Sequence, residues 1–261
     1  MLSEPQATVT LPADFPTDIT IPAYQNGIIP LESRPGLTAV VYLDFDGEEG
    51  PHTLWGDFDA AAPTDVTTES IFRVWRRVAE DYAPFQLNIT TDLQVYLDAP
   101  ANSRQRCIIT PTTDAAPDAG GVAYLNTFNS SSEIPCWAFY STGKAGGEVI
   151  SHEIGHTLGL NHDGRTNPTE EYYLGHGSTE VAWAPIMGLG YYRTLSQWSK
   201  GEYLSANNQE DDISIIANSN NNIGMRPDLP GNTASTAQPL VIQSNNSVRE
   251  GGYITTETDI D

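Results

Sequence analysis

The 261-residue chain predicts a mixed α+β fold, a mixed sheet with helices on one side. Three observations carry this. A β-prone run, TAVVYLDF (38–45), stops at the turn-forming pair Asp46-Gly47. The stretch ESIFRVWRRVAEDYAPF (69–85) has apolar residues at helical spacing. Short β-prone segments then alternate with Gly- and Pro-containing connections until a second helical, histidine-bearing stretch begins.

In chain order, residues 1–36 carry Pro5, Pro12, Pro16, Pro22, Pro30 and Pro35, which interrupt any helix and favour an N-terminal extended segment. The main domain spans 37–222. TAVVYLDF is expected as a buried central strand. In the following helix Ile71, Phe72, Trp75, Val78, Ala79 and Tyr82 form the apolar face, Thr67 or Thr68 caps the start, and Pro84 stops it. QLNIT, CIIT, GGVAYL and CWAFY read as short strands. Residues 163–195 look irregular, and Ser196 to Asn218 reads as helical in two pieces, divided near Gly201 and the polar NNQEDD. Residues 223–261 contain a linker and too few β-prone residues for a core of their own, as expected of the truncated start of a C-terminal β domain.

Thirty-four acidic against twelve basic residues give a net charge of −22, which repels phosphate backbones and anionic membranes. Nucleic acid is excluded as a partner on this ground. The surplus reads first as a hydrated surface, and more narrowly as room for Ca2+ sites. No apolar run approaches the roughly 20 residues of a membrane span, and MLSEPQATVT lacks the pattern of a signal peptide. The two cysteines, Cys107 and Cys136, match no zinc or redox spacing and are either two buried thiols or one disulfide.

The chemistry concentrates in HEIGHTLGLNHD, His152 to Asp163, which holds three of the five histidines. Residues four apart share a helix face, so His152 and His156 can offer two imidazoles to one metal ion. Glu153 beside the first ligand is placed to take a proton from a water on that ion. Gly159 can adopt the left-handed conformation that ends a helix, which lets His162 return as a third ligand. Three nitrogen ligands with an open fourth position describe a catalytic Zn2+ site, with distances expected near about 2.0–2.1 Å. A bare HExxH arises by chance, but Val149, Ile150, Ile154, Leu158 and Leu160 give this one the apolar setting of a buried helix. His52 and His176 stand alone in loops, where packing or surface roles are expected.

HEIGHTLGLNHD followed by APIMG resembles the metzincin clan of zinc peptidases, in which a methionine turn, here Met187, lies beneath the metal. LESRPG, VYLDFDG, VAEDYAPF, GGVAY, WAPIMG and QWSKGEY are similar to bacterial secreted metzincins that carry a C-terminal pre-peptidase-type β domain. The resemblance covers about residues 31–218, and the chain's end is similar to the opening strands of that β domain. It implies a twisted mixed β-sheet with two long helices above a zinc cleft and an irregular lower subdomain ending in a helix, and a secreted, extracellular endopeptidase acting on protein or peptide; a monomer is expected without support from the resemblance. It also implies that GGVAYL is an edge strand that pairs with substrate, with Gly121, Val122, Ala123 and Tyr124 in contact. Family strand order places CIIT beside CWAFY, which favours a Cys107–Cys136 bridge. Asp163 and Gly159 would support the site with Met187, without ligation. One departure is Leu189, where some relatives have a tyrosine; Tyr191 and Tyr192 come later and are candidates for the substrate pocket. Glu153 would serve as base towards water and then as acid towards the leaving amine. The alternatives are a zinc-stabilised binding or adhesion module without turnover, and a zinc hydrolase of a non-protein substrate.

Overall fold

The computed structural model describes residues 28–227, 233 and 235–248. The prolines at 5, 12, 16 and 22 and the C-terminal residues 249–261 lie outside them.

The frame is a twisted, mostly parallel sheet built from β1 (Val40–Asp44), β2 (Asn88–Thr90), β3 (Arg104–Ile109), β4 (Gly121–Val122) and β5 (Cys136–Ala138). Their order is β2-β1-β3-β5-β4, with β4 antiparallel at one edge. β1 is buried along its whole length between two parallel neighbours, as its uninterrupted apolar character requires. Its alternate residues serve two layers. Val41 and Leu43 join the main core under α1 (Thr68–Asp81) and α3 (Gly143–Thr157), whereas Val40 and Tyr42 pack on Tyr96 from a short helix, α2 (Leu93–Asp98). The sequence did not announce α2, which is too short to show a helical period.

Thr67 caps α1 through a reciprocal pair of hydrogen bonds with Ser70, and the helix buries Ile71, Val74 and Val78. Of the expected face, Trp75 and Ala79 are only partly buried against the same core. α1 crosses α3 closely because Gly147 leaves room for the Arg77 stem: a Cβ there would meet Arg77 Cδ at 2.5 Å. Two further ties join the helices, the Tyr82 hydroxyl donating to the Ser151 carbonyl at 2.9 Å and the Ser151 hydroxyl to Asp81 at 2.6 Å. α3 is thereby buried on nearly every side.

Below α3 the chain makes only small ladders, β6 (Arg165–Thr166) with β7 (Thr169–Glu170) and β8 (Trp183–Pro185) with β9 (Leu195–Gln197). The long helical reading of 196–218 is corrected: Leu195–Gln197 is strand, Gly201 and Ser205 take positive φ of 74° and 63°, and only α4 (Asp212–Ile216) is helical. Left-handed residues at 201 and 205 break the helical hydrogen-bond path before it can propagate.

The expected disulfide is also corrected. Cys107 and Cys136 are direct partners across the parallel β3–β5 pair, both fully buried, yet they are free thiols. The two thiols are in hydrogen-bond contact, and burial raises the Cys107 pKa well above its ordinary value, which keeps the thiol protonated and inert. Burial, not bonding, explains their place.

At the ends of the described chain, Ile29 is buried, Leu31 and Ser33 hydrogen-bond alongside β2, and Ile223 enters the main core. Residues 235–248 are exposed throughout.

Candidate metal centre

α3 presents His152 and His156 from adjacent turns of one face, then ends at Gly159 with φ +106°. Two bonds form the close: Gly159 N–H to the His156 carbonyl at 2.9 Å and Leu160 N–H to the Gly155 carbonyl at 3.1 Å. Asn126 and Phe128 N–H groups satisfy the carbonyls of His156 and Thr157 from a neighbouring loop. The reversal brings His162 back to the other two histidines, with ligand atoms of all three within 4.8 Å of one another. They are the one such cluster of His, Cys, Asp or Glu among the described residues.

Each ring is held by its Nδ1. His152 Nδ1 meets the Ile186 carbonyl at 2.9 Å, His156 Nδ1 the Leu160 carbonyl at 2.8 Å, and His162 Nδ1 the Glu171 carboxylate at 3.3 Å. Since these partners are acceptors, Nδ1 carries the proton and Nε2 is left with its lone pair. The Nε2 atoms of His156 and His162 then face each other at 3.0 Å. Lone pairs at that separation repel, and a cation between them removes the repulsion. Burial is the first cause that holds the imidazoles unprotonated: His152 lies well below its ordinary pKa, His156 falls to about 4, and His162 is lowered against the opposing pull of Glu171. Neutral imidazoles with free Nε2 atoms are the donor set that zinc takes.

Glu153 lies beside this cluster and is almost wholly buried. Burial alone raises its pKa to about 8. Its side chain fills the space that a Cβ on Gly121 would occupy, 2.7 Å from Glu153 Cγ and Oε1. Glycine at the first position of β4 is therefore a packing requirement.

Met187 is fully buried beneath α3, its sulfur 2.6 Å from where a Cβ on Gly155 would stand. The turn around it reaches two ligands: the Ile186 carbonyl holds His152, and the Met187 carbonyl accepts from Asp163 N–H at 2.8 Å. Asp163 is buried behind His162, and its Oδ2 has no hydrogen-bond partner among the described residues. Burial, then repulsion from Glu210, raises its pKa to about 7.

The histidines and Glu153 border a cleft of about 530 Å³, from which Met187 and Asp163 are set back. Gly121, Val122, Ala123 and Tyr191 line it, with the three histidines and Glu153. Tyr191 packs against Tyr140, and its hydroxyl lies 3.2 Å from a Cβ position on Gly120. Tyr124 and Tyr192 are not among the lining residues: Tyr124 packs on Trp55 at 4.5 Å, and Tyr192 is 83% exposed. His52 and His176 are remote from the cluster, packed against Trp137 and bonded to the Tyr173 hydroxyl respectively. Tyr172 and Glu171, which sequence spacing did not single out, stand against His162; Tyr172 also lines the cleft, its ring centroid 4.4 Å from that of His162. Nothing in EEYY distinguishes them until the loop is folded.

Three neutral imidazoles converging beside a buried carboxylate, in one cleft, form a cluster that could hold a metal ion. Residues 79–163, from the end of α1 through α3 to Asp163, match the Reprolysin-like M12B metallo-peptidase family. The match and the histidine cluster fit a metzincin-type zinc metallopeptidase and support zinc-dependent peptidase activity on protein or peptide substrates. No curated protein matches the chain. No helix among the described residues is long and apolar enough to cross a membrane.

Proposed function

We propose that the chain is a secreted zinc endopeptidase in which His152, His156 and His162 hold one Zn2+ and Glu153 acts as general base and then general acid. The observation that carries this reading is the convergence of three Nε2 atoms, each ring fixed through Nδ1, beside a buried carboxylate with no hydrogen bond among the described residues. Zinc, when bound there, lowers the pKa of water towards about 7 and polarises the scissile carbonyl. Glu153 accepts the proton of the attacking water and passes it to the departing amine, so no covalent acyl intermediate is needed. Its carboxyl, held near pKa 8 by burial, ionises more readily once a cation is close by. The outer edge of β4 offers backbone groups to an extended peptide, with Gly121, Val122 and Ala123 alongside it and Tyr191 in the same cleft.

The organisation that goes with this is a catalytic unit over about 37–222 on which the described ends also pack, Ile29 to Ser33 beside β2 and Ile223 to Arg226 beside Phe85, with a C-terminal β domain proposed to begin after them. The extracellular location rests on the sequence resemblance, and the free thiols Cys107 and Cys136 lend it no weight.

Replacing Glu153 with Gln tests the chemistry. Zinc content should stay near one per chain, while peptide hydrolysis falls by about a hundred- to ten-thousand-fold or more, as for loss of a general base. A variant that keeps its zinc and more than about a tenth of its activity excludes Glu153 as the base. Zinc binding by the unaltered chain with no cleavage of a peptide library would instead mark a binding module.

A further inference from the structure

We infer that Glu171, with Tyr172, is the positioning element for the third metal ligand, and that the tightness of zinc binding is set from this dipeptide in the lower part of the molecule. The inference rests on the zinc reading above.

The three histidines are not held alike. His152 and His156 project from a buried helix, and their Nδ1 atoms meet backbone carbonyls of Ile186 and Leu160. His162 lies beyond the helix end on irregular chain, with 29% of its side chain exposed, and the acceptor at its Nδ1 is a side chain, Glu171. A carboxylate at Nδ1 fixes the tautomer that leaves Nε2 free and raises the basicity of the ring towards a cation. Tyr172 closes over the face of the same ring at 4.4 Å and lies 6.1 Å from His152, which limits rotation about the ligand's χ2.

The dipeptide reaches this position through its neighbour. Tyr173 N–H donates to the Asp163 carbonyl at 2.6 Å, and the Tyr173 carbonyl accepts from Leu189 N–H at 3.1 Å. Its buried ring stacks on Tyr203 at 4.1 Å and 11°. Tyr173 thus pins residues 171–172 beside 162, one residue from the Asp163 anchor. Glu171 itself is exposed and serves no packing role, with 70% of its side chain in solvent. Its position is explained by His162.

The test is the apparent zinc dissociation constant of the full chain, measured by competition with a chelator at fixed pH and salt, for wild type, Glu171→Ala, Glu171→Gln and Tyr172→Phe. Glu171→Ala should weaken zinc binding by about 10–100-fold, the usual effect of removing a partner that orients a ligand. Glu171→Gln keeps an acceptor oxygen without charge and should recover part of that loss. Tyr172→Phe keeps the tilted ring contact but loses the hydroxyl that hydrogen-bonds Glu171, and should weaken zinc binding less than Glu171→Ala does; a loss as large as that of Glu171→Ala would count against Glu171 as the main positioning group. Because Glu171 is exposed, the metal-free melting temperature should not change, which separates ligand positioning from a folding defect. Glu171→Ala binding zinc within about threefold of wild type would overturn the inference and leave the peptidase reading intact. Wild type that binds no zinc would overturn both.

Discussion

The helix α3 and the chain below it, residues 163–211, contribute to one site by different means. α3 is buried against the sheet and α1, with Ile150 and Ile154 inaccessible to solvent, so its two ligands are fixed by packing. Residues 163–211 contain two-strand ladders and one 3-10 turn and, beyond the buried Ile186, Met187 and the Tyr173–Tyr203 stack, are tied by polar bonds: Gly164 N–H to Asn207, the Tyr203 hydroxyl to the Gly164 carbonyl, and the neighbouring Asn161 to Glu210 through both backbone and side chain. Dense apolar packing gives precise placement at high local stability. A polar web gives placement that depends on protonation and solvent. The comparison teaches that the third ligand, which hangs from the web, is the adjustable one.

The largest effect should come from the packed side. Ile150→Ala removes a fully buried side chain at the α3 interface and should cost about 2–5 kcal/mol, whereas Leu195→Ala, at 45% exposure in the lower part, should stay within about 0.5 kcal/mol. Chemical denaturation of both variants checks this, and comparable losses would erase the distinction between the two regions.

A smaller effect tests the seam. Gly155→Ala puts a methyl 2.6 Å from Met187 sulfur, and overpacking of this kind costs about 1–3 kcal/mol, offset by about 1 kcal/mol of helix propensity. Melting should drop modestly while zinc affinity drops measurably, because the displaced turn also carries the Ile186 carbonyl that holds His152. Unchanged zinc affinity would show that the turn gives way without moving the ligand.

The smallest effect concerns the web's dependence on pH. Asp212 is fully buried, accepts Ser199 N–H at 2.9 Å, and has its pKa raised to about 8, first by burial. The folded chain keeps this proton up to about pH 8, and the unfolded chain releases it near 3.8. Between those values the folded state binds more protons, so this residue's contribution to stability is lost as pH rises and levels off above about 8. Asp212→Asn cannot ionise and should therefore lose less melting temperature between pH 5 and pH 8 than wild type. An equal or steeper loss would show that Asp212 is already ionised in the folded protein.

Much of this was legible in the sequence where local rules coincide with burial. Thr67 before an apolar 3.6-residue period points to α1, uninterrupted apolar character to β1, and HExxHxxGxxH to the clustering of the three histidines, because helix geometry fixes the first two and Gly159 fixes the reversal. The rest depends on distant contacts. Glu171 is an ordinary surface acid until Tyr173 pairs with Asp163. The length of α4 was decided by positive φ at Gly201 and Ser205, of which only the glycine gave a signal. Cys107 and Cys136 were placed side by side by strand order, but pairing of strands does not by itself bridge their sulfurs.

The turn Pro185–Gly188 has one further consequence. Adjacent carbonyls at 186 and 187 secure, respectively, the first ligand and the residue after the third. The spacing between the His152 and His162 rings is thus gauged by a single peptide unit, about 3.8 Å between successive Cα atoms. Loops on either side can lengthen without changing that gauge, whereas one residue inserted between the two carbonyls would recalibrate it.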